Sequence, residues 1–265
     1  MSPSHYFHYS SNYLDTVIFF EAELSSFEHL EQVVLKKLSD SFASTKVVIA
    51  ALNEAQGIGP TLDEMQYYLK GARFLVVDGN SHDKTVHIAK TLGADVLFQE
   101  GKGKGDALRH ALRYIDSDCE YIVLTDADFT YPAKYVPEMI EFLDREPAFG
   151  MVCGNRFNGH LNVGSMHNVN YFGNRVIAFA HGLFNDVYMR DPLTGLRVLR
   201  WDLLRSWEPK SDGFDVEVEL NHFVTQRGYG IAEIDIHYRP RLGEKKLQLR
   251  HGVTILKRIM SEAFL

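Results

Sequence analysis

Asp126-Ala127-Asp128 is the sharpest chemical signal in the chain. Two carboxylates one residue apart repel each other at neutral pH. A hard divalent cation relieves that repulsion and also neutralises a diphosphate. The pair follows the apolar run Tyr121 to Thr125 and precedes Phe129-Thr130-Tyr131-Pro132, with a helix expected from Tyr135. The plain alternative is a pair of helix-capping acids. A second segment, Asp78-Gly79-Asn80-Ser81-His82-Asp83-Lys84-Thr85, reads as a turn into a helix, since Gly79 and Asn80 tolerate positive φ and Ser81 or Asp83 suits a cap. Asp78 there either accepts hydrogen bonds from a ribose or base, or belongs to a turn and cap alone. In Gly101-Lys102-Gly103-Lys104-Gly105-Asp106 the glycines allow a ligand close to the backbone, and a helix N-terminus favours anions. The spacing is neither that of a P-loop nor that of a dinucleotide fingerprint. Near the C-terminus Arg239, Arg241, Lys245 and Lys246 form a basic loop with Gly and Pro, suited either to phosphate or to plain solvation.

The elements that must position these groups follow a clear rhythm. Lys46 to Leu52, Arg73 to Val77, Ala94 to Phe98 and Tyr121 to Thr125 are apolar strand-like runs. Helical sequence separates them at Thr61 to Leu69, Thr85 to Leu92 and Gly105 to Tyr114. Strands buried on both faces and alternating with helices imply a mostly parallel sheet in an α/β fold. Such sheets bind ligands outside the carboxyl ends of their strands. The polar residues Asn53-Glu54, Asp78 to Ser81 and Asp126 to Asp128 stand at those ends. The chain therefore reads as a single α/β domain over residues 46–250, behind an aromatic-rich extension over residues 1–45 and ahead of a C-terminal amphipathic helix over residues 251–265. In the extension, Phe27, Leu30, Val34 and Leu38 share one helical stripe suited to packing or dimer contact. The second half is more irregular and is expected to fold over the first.

Composition narrows the function classes. A net charge of −7 over 265 residues argues against a general nucleic-acid binder. Cys119 and Cys153 lack metal-like spacing and do not make a disulfide framework, so a reducing cytoplasm is expected. No Lys or Arg precedes Lys36, and the early apolar run Val17 to Phe20 is too short to cross a bilayer. In the tail, Ile255, Leu256, Ile259, Met260, Ala263 and Phe264 share a face opposite Lys257 and Arg258. That pattern fits a core helix or an interfacial membrane helix, and the basic loop beside it favours the membrane. The twelve histidines show no metal spacing, and there is no serine-hydrolase elbow.

Taken together, the motifs from Lys46 onward resemble the family 2 glycosyltransferases with the GT-A fold, a Rossmann-like sandwich, and within them the archaeal dolichyl- or polyprenyl-phosphate sugar synthases. The motifs are Ala51-Leu52-Asn53-Glu54, Val76 to Asp83, Gly103 to Leu108, Asp126-Ala127-Asp128, Gly154-Asn155-Arg156, Asp191-Pro192-Leu193-Thr194-Gly195, Gly213-Phe214 and Arg241 to Leu247. The resemblance implies that Asn53, Glu54 and Asp78 hold the nucleoside. It implies that Asp126 and Asp128 bind Mg2+ or Mn2+ with the donor diphosphate, and that Lys104 lies in the donor-binding motif. Arg156 and Arg175 lie near an acceptor phosphate, and Arg241 and Lys246 close on the phosphates from a mobile loop. The partners implied are a nucleotide sugar and a polyprenyl or dolichyl phosphate, with peripheral contact at the cytoplasmic face of the membrane; an oligomer is compatible with it. Members of this kind invert the anomeric centre. Asp-Gly-Asn-Ser stands where the family often has Asp-Asp-Gly-Ser, and Thr130 stands where some mannose-phosphate synthases place a metal-site Gln. The first departure favours UDP-glucose over GDP-mannose.

A lipid phosphate is already anionic and needs little general-base help, so catalysis rests on positioning and on charge stabilisation. A hydroxyl acceptor, small molecule or glycan, would need a base, for which Asp215 is the candidate. A sugar-phosphate nucleotidyltransferase would want a basic glycine-rich loop after the first strand, which Asn53 to Gly57 lacks.

Overall fold

The computed structural model describes residues 42–115, 118–157, 168–244 and 249–263. The amphipathic segment Phe27 to Leu38, with the rest of residues 1–41, lies outside them, as do Lys245, Lys246 and Phe264. Strand β1 (Thr45–Ala51) is followed by helix α1 (Ile58–Tyr68), β2 (Arg73–Asp78), α2 (Thr85–Thr91), β3 (Asp95–Phe98), α3 (Lys104–Tyr114) and β4 (Tyr121–Asp126). A short 3-10 turn (Ala133–Tyr135) leads into α4 (Val136–Arg145) and β5 (Phe149–Asn155). The remainder comprises α5 (Asn168–Asn185), β6 (Arg197–Arg200), α6 (Trp201–Leu204), α7 (Val216–Gln226), β7 (Gly230–Asp235) and α8 (Leu249–Glu262).

The strands described form one seven-stranded sheet in the order β3-β2-β1-β4-β6-β5-β7. Its pairs are parallel except where β6 runs against β4 and β5. The α/β architecture with a mostly parallel sheet is therefore as expected, in a single domain. The second half does two things: it adds β5, β6 and β7 to the same sheet, and through α7 it covers one face of the first-half strands, as expected. Their strand signal is weaker than that of β1, β2 and β4: β6 is four residues bounded by Arg197 and Arg200, β5 is broken by Gly150 and Gly154, and β7 carries Glu233 and Asp235.

Continuous apolar strands arise because both faces of the sheet are covered. Val48, Leu75, Val77, Ile122 and Leu124 point to one face and pack with Ala107, Leu108 and Ala111 of α3 and Val216, Leu220 and Val224 of α7. The alternate residues Val47, Ile49, Val76 and Val123 are equally buried. Each such side chain contributes about 1.5–3 kcal/mol by leaving water.

Helix α8 answers the question left by its amphipathic pattern. Ile255 and Ile259 pack against Ile177 and Ala180 of α5 and Val218 of α7, so its apolar face belongs to the core. Arg258, expected on the outer face, lies inward against Asp215, Glu219 and Glu262. Ile255 and Ile259 are thus core residues and not the centre of a membrane-facing stripe, which corrects that part of the expectation; Met260, at the edge of the same face, stays 50% exposed. No helix among the described residues is long and apolar enough to cross a membrane.

Candidate active site

Register brings the carboxylates to one edge. Ala51 at the end of β1 pairs with Asp78, and Ala50 pairs with Asp126. Asp126 and Asp78 thus flank the carboxyl end of β1. Beyond β4 the chain turns sharply: Phe129 adopts φ 64°, which is strained for a bulky side chain. The turn is held by the Phe129 amide donating to Thr61 Oγ1 at 3.1 Å and by the Arg239 guanidinium lying 4.4 Å from the Phe129 ring centre. It faces Asp128 inward, where Oδ1 accepts from the Thr130 hydroxyl at 2.6 Å and the Thr130 amide at 3.1 Å. Thr130 thus orients Asp128.

Each acid of the pair meets a cation. Lys104 Nζ lies 2.7 Å from Asp126 Oδ1 and 2.7 Å from Glu217 Oε1. Arg241 lies 2.7 Å from Asp128 Oδ2 and also contacts Glu54 Oε1. Burial opposes the charge on Lys104, but Asp126 and Glu217 outweigh it and raise its pKa. Burial likewise opposes the charge on Asp126, and Lys104, with Arg156 and Arg241, reverses the effect and lowers its pKa. Asp128 moves the other way: burial and repulsion from Asp126 raise its pKa against the pull of Thr130 and Arg241. Gly195 makes room for this arrangement, because a Cβ there would stand 2.5 Å from Asp126 Oδ2.

Two oxygen-donor carboxylates suit Mg2+ or Mn2+. Among the described residues no group of three or more His, Cys, Asp or Glu forms a metal cage. A hard ion held by one or two carboxylates completes its shell with water and substrate phosphate oxygens. The donor set at Asp126 and Asp128 therefore fits an ion shared with a diphosphate.

Arg156, at the end of β5, is locked in place. Its Nε and Nη2 each lie 2.7 Å from the Asp191 carboxylate, and Nη2 also donates to Leu193 O at 3.0 Å. The loop Asp191 to Gly195 that makes these contacts is itself pinned. Arg197 donates to Thr194 O and Pro192 O, both at 2.9 Å, and the Asp191 amide donates to Glu233 at 2.8 Å. The Asp-Pro-Leu-Thr-Gly motif is thus a collar that fixes Arg156 beside Asp126.

Most of the remaining candidate residues are engaged by the protein itself. Asp78 is fully buried, and its oxygens accept from the Ser81 amide at 2.8 Å and hydroxyl at 2.6 Å. Asn53 Oδ1 accepts from the His82 amide at 2.8 Å, and the Asn53, Glu54 and Ala55 amides donate to the Ser81, Thr85 and Asp83 side chains in that order. The turns after β1 and β2 are stitched together by these bonds. The glycine-rich segment approaches protein rather than ligand. A Cβ on Gly105 would sit 2.0 Å from Ser211 O, and the Gly105 amide donates to Asp212 O at 2.8 Å. That helix N-terminus is capped by the chain itself, which corrects its reading as an anion site; only Lys104 reaches the acids. Arg239 is taken up by Glu64 at 2.7 and 2.6 Å. Arg175 is exposed on α5. Asp215 is drawn to Arg258 on α8, at 3.6 Å. Lys246 lies outside the described residues.

Glu217 is the site residue that the sequence alone does not single out. It is buried, its pKa is raised by that burial and by Asp126 against the pull of Lys104 and Arg197, and Lys104 joins it to Asp126. The alternation Asp215-Val216-Glu217-Val218-Glu219 offers three acids, and only the docking of α7 against α3 selects among them.

Residues 46–200 match the family described as Glycosyl transferase family 2. The chain is similar, at 34% identity over 209 residues, to the dolichyl-phosphate hexose transferase of Haloferax volcanii, a match covering 78% of this chain and 88% of that protein. It is 32% identical over 197 residues to glycosyltransferase AglJ of the same organism, covering 74% of this chain but 63% of that protein, less than two thirds of its length. Among solved structures, glucosyl-3-phosphoglycerate synthase from Mycobacterium tuberculosis in complex with Mn2+, UDP-glucose and phosphoglyceric acid superposes with a TM-score of 0.66. The identity is 21%, over 87% of this chain and 84% of that one, a likeness of fold.

Proposed function

Because the chain belongs to glycosyltransferase family 2, we propose that it is an inverting, metal-dependent hexosyltransferase that moves a hexose from a nucleotide-diphosphate sugar to a polyprenyl or dolichyl phosphate. UDP-glucose is the first donor to test and GDP-mannose the next. The observation that carries this reading is the alternation of charge at the sheet edge, where Asp126 and Asp128 are interleaved with Lys104, Arg241 and Arg156. The resemblance to a dolichyl-phosphate hexose transferase supports the acceptor.

In this reading Mg2+ or Mn2+ at Asp126 and Asp128 supplies charge neutralisation to the donor diphosphate. The remaining work belongs to the chain's own groups. Arg241 exchanges its carboxylate partners for phosphate oxygens as the donor enters, and Lys104 adds a second fixed cation on the leaving-group side. Arg156, held by Asp191, offsets repulsion between two anionic reactants. Asn53, Glu54 and Asp78 shape the nucleoside end, through the stitched turns that hold them. The enzyme works from the cytoplasmic face of the membrane, where its acceptor's phosphate is exposed.

Glu217 favours a second reading. A buried carboxylate with a raised pKa is suited to take a proton from a hydroxyl acceptor, a role otherwise expected of Asp215. The test is transfer of radiolabelled sugar to a polyprenyl phosphate, with UDP-glucose and GDP-mannose in parallel and with or without Mn2+. Metal-dependent lipid product supports the proposal and names the sugar. Donor hydrolysis with no lipid product from either donor sinks it and leaves the hydroxyl reading, in which Glu217→Gln abolishes transfer.

A further inference from the structure

The 18 residues of α5, Asn168–Asn185, include no Asp or Glu, in a chain that has 35 of them. One face of the helix packs into the core through Ile177 and Ala180. The opposite face is apolar and bare. Phe172 is 71% exposed, Val176 40%, Phe179 72% and Leu183 63%. At 100° per residue these four fall within about 60° of arc, and at 1.5 Å per residue the stripe is about 16 Å long. Exposed apolar residues scattered singly need no explanation, but a continuous row of this length marks an interaction surface.

Two observations indicate what meets it. The first is charge: Arg175 is exposed beside the stripe and Lys257 on α8, which packs beside α5, against one exposed acid, Asp186, just past the end of the helix. A chain of net charge −7 thus presents an apolar, locally basic helix face. That is the pattern of a helix lying in the headgroup region of an anionic bilayer. The second is continuity with the active site. The Tyr171 ring, next to Phe172, lies edge-on to the Phe157 ring at 5.1 Å, and Phe157 lies 5.7 Å from the Arg156 guanidinium. The stripe therefore begins beside the arginine proposed to meet the acceptor phosphate. A polyprenyl phosphate places its phosphate in the site while its tail stays in hydrocarbon, so a bilayer-facing surface must reach the site's mouth.

We propose that the outer face of α5, centred on Phe172, Phe179 and Leu183, docks the enzyme on an anionic lipid surface and sets the active site at the depth of the acceptor phosphate. The membrane contact thus belongs to α5 and not to the apolar face of α8. This inference rests on the lipid-phosphate reading for its purpose, but the surface itself is tested separately.

The experiment is flotation of the full chain with vesicles of phosphatidylglycerol and phosphatidylcholine, beside vesicles of phosphatidylcholine alone. Wild type is compared with the double variant Phe179→Glu, Leu183→Glu, and folding is checked by thermal unfolding. Both positions are exposed, so the variant keeps its melting temperature. The expected result is binding of wild type to the anionic vesicles, weakened by salt, and a loss of about tenfold or more in the variant. Transfer to polyprenyl phosphate embedded in vesicles falls with binding, while transfer to a short water-soluble prenyl phosphate is unchanged. Wild type that stays off anionic vesicles overturns the proposal, as does a variant that floats as well as wild type. A wild-type dimer that the variant dissociates, with no change in flotation, also overturns it and makes the face a contact between copies. Vesicle binding that the variant abolishes, with no sugar transfer to any prenyl phosphate, leaves the surface standing and removes the lipid acceptor.

Discussion

Asp191→Asn isolates what the collar around Arg156 contributes. The Asp191 carboxylate is fully buried and accepts three bonds from Arg156: Nε and Nη2 at 2.7 Å and the amide at 3.1 Å. Asn preserves the volume but turns an NH2 group toward a guanidinium that only donates. Breaking one side of a buried ion pair costs about 3–5 kcal/mol, because the remaining charge stays desolvated. The Arg156 side chain retains 12% exposure and its bond to Leu193 O, which places the cost at the lower end, about 3 kcal/mol. For a domain of this size that lowers the melting temperature by roughly 6–12 °C. Urea unfolding followed by circular dichroism measures it. The double variant Arg156→Met, Asp191→Asn leaves no buried charge unpaired and returns to within about 1 kcal/mol of wild type. The same double variant separates architecture from chemistry: stable, it still loses about 10²–10³-fold in transfer, the scale of removing one stabilising donor. A cost below about 1 kcal/mol in the single variant, or a double variant no more stable than the single, refutes the buried-pair argument. Full transfer by a stable double variant reduces Arg156 to a structural role.

Three further outcomes follow from the same geometry. Asp128→Ala removes a proposed metal ligand and one partner of Arg241; it lowers Mn2+-dependent transfer by about 10²-fold or more and weakens Mn2+ binding in the presence of UDP, as read by calorimetry. Undiminished turnover removes the metal role from Asp128. Gly105→Ala drives a methyl into Ser211 O, 2.0 Å from the ideal Cβ, and destabilises the fold by about 1–3 kcal/mol. A loss of donor affinity at unchanged stability would restore the segment as an anion site. His181, buried beside Asn185, has its pKa pushed down by burial to about 4, from 6.5. The unfolded state then binds more protons between those values. The contribution is full above pH 6.5 and is lost as pH falls toward 4, about 3 kcal/mol in all. Urea midpoints measured across that range decline in wild type and flatten in His181→Gln; parallel curves refute the assignment.

Much of the fold was legible because strands covered on both faces must be apolar throughout. Val47 to Ala51, Phe74 to Val77 and Tyr121 to Thr125 carry that signature, and the acids that follow them mark the sheet's functional edge. The joint order of the motifs pointed to the family, and several of them, from Asn53 to Asp78 and Asp126, stand at strand ends. Other features were open in the sequence because one local pattern serves two surroundings. Gly103 and Gly105 permit a close approach by anything, and only the docking of Ser211 and Asp212 makes that partner protein. Amphipathicity in α8 says that one face is covered, but not by what; Ile177 and Val218 decide it. The exposure of the row from Phe172 to Leu183 is likewise set by the fold and not by its local pattern. Among Asp215, Glu217 and Glu219, spacing offers three equivalent acids. Their charges acquire distinct tasks through partners elsewhere in the chain: Arg258 for the first, Lys104 for the second, and the Lys210 and Ser211 amides together with Arg258 for the third. Local sequence determines what a segment is able to do; which of those possibilities is realised depends on burial and on long-range charge, and these exist only once the sheet has closed its neighbours around it.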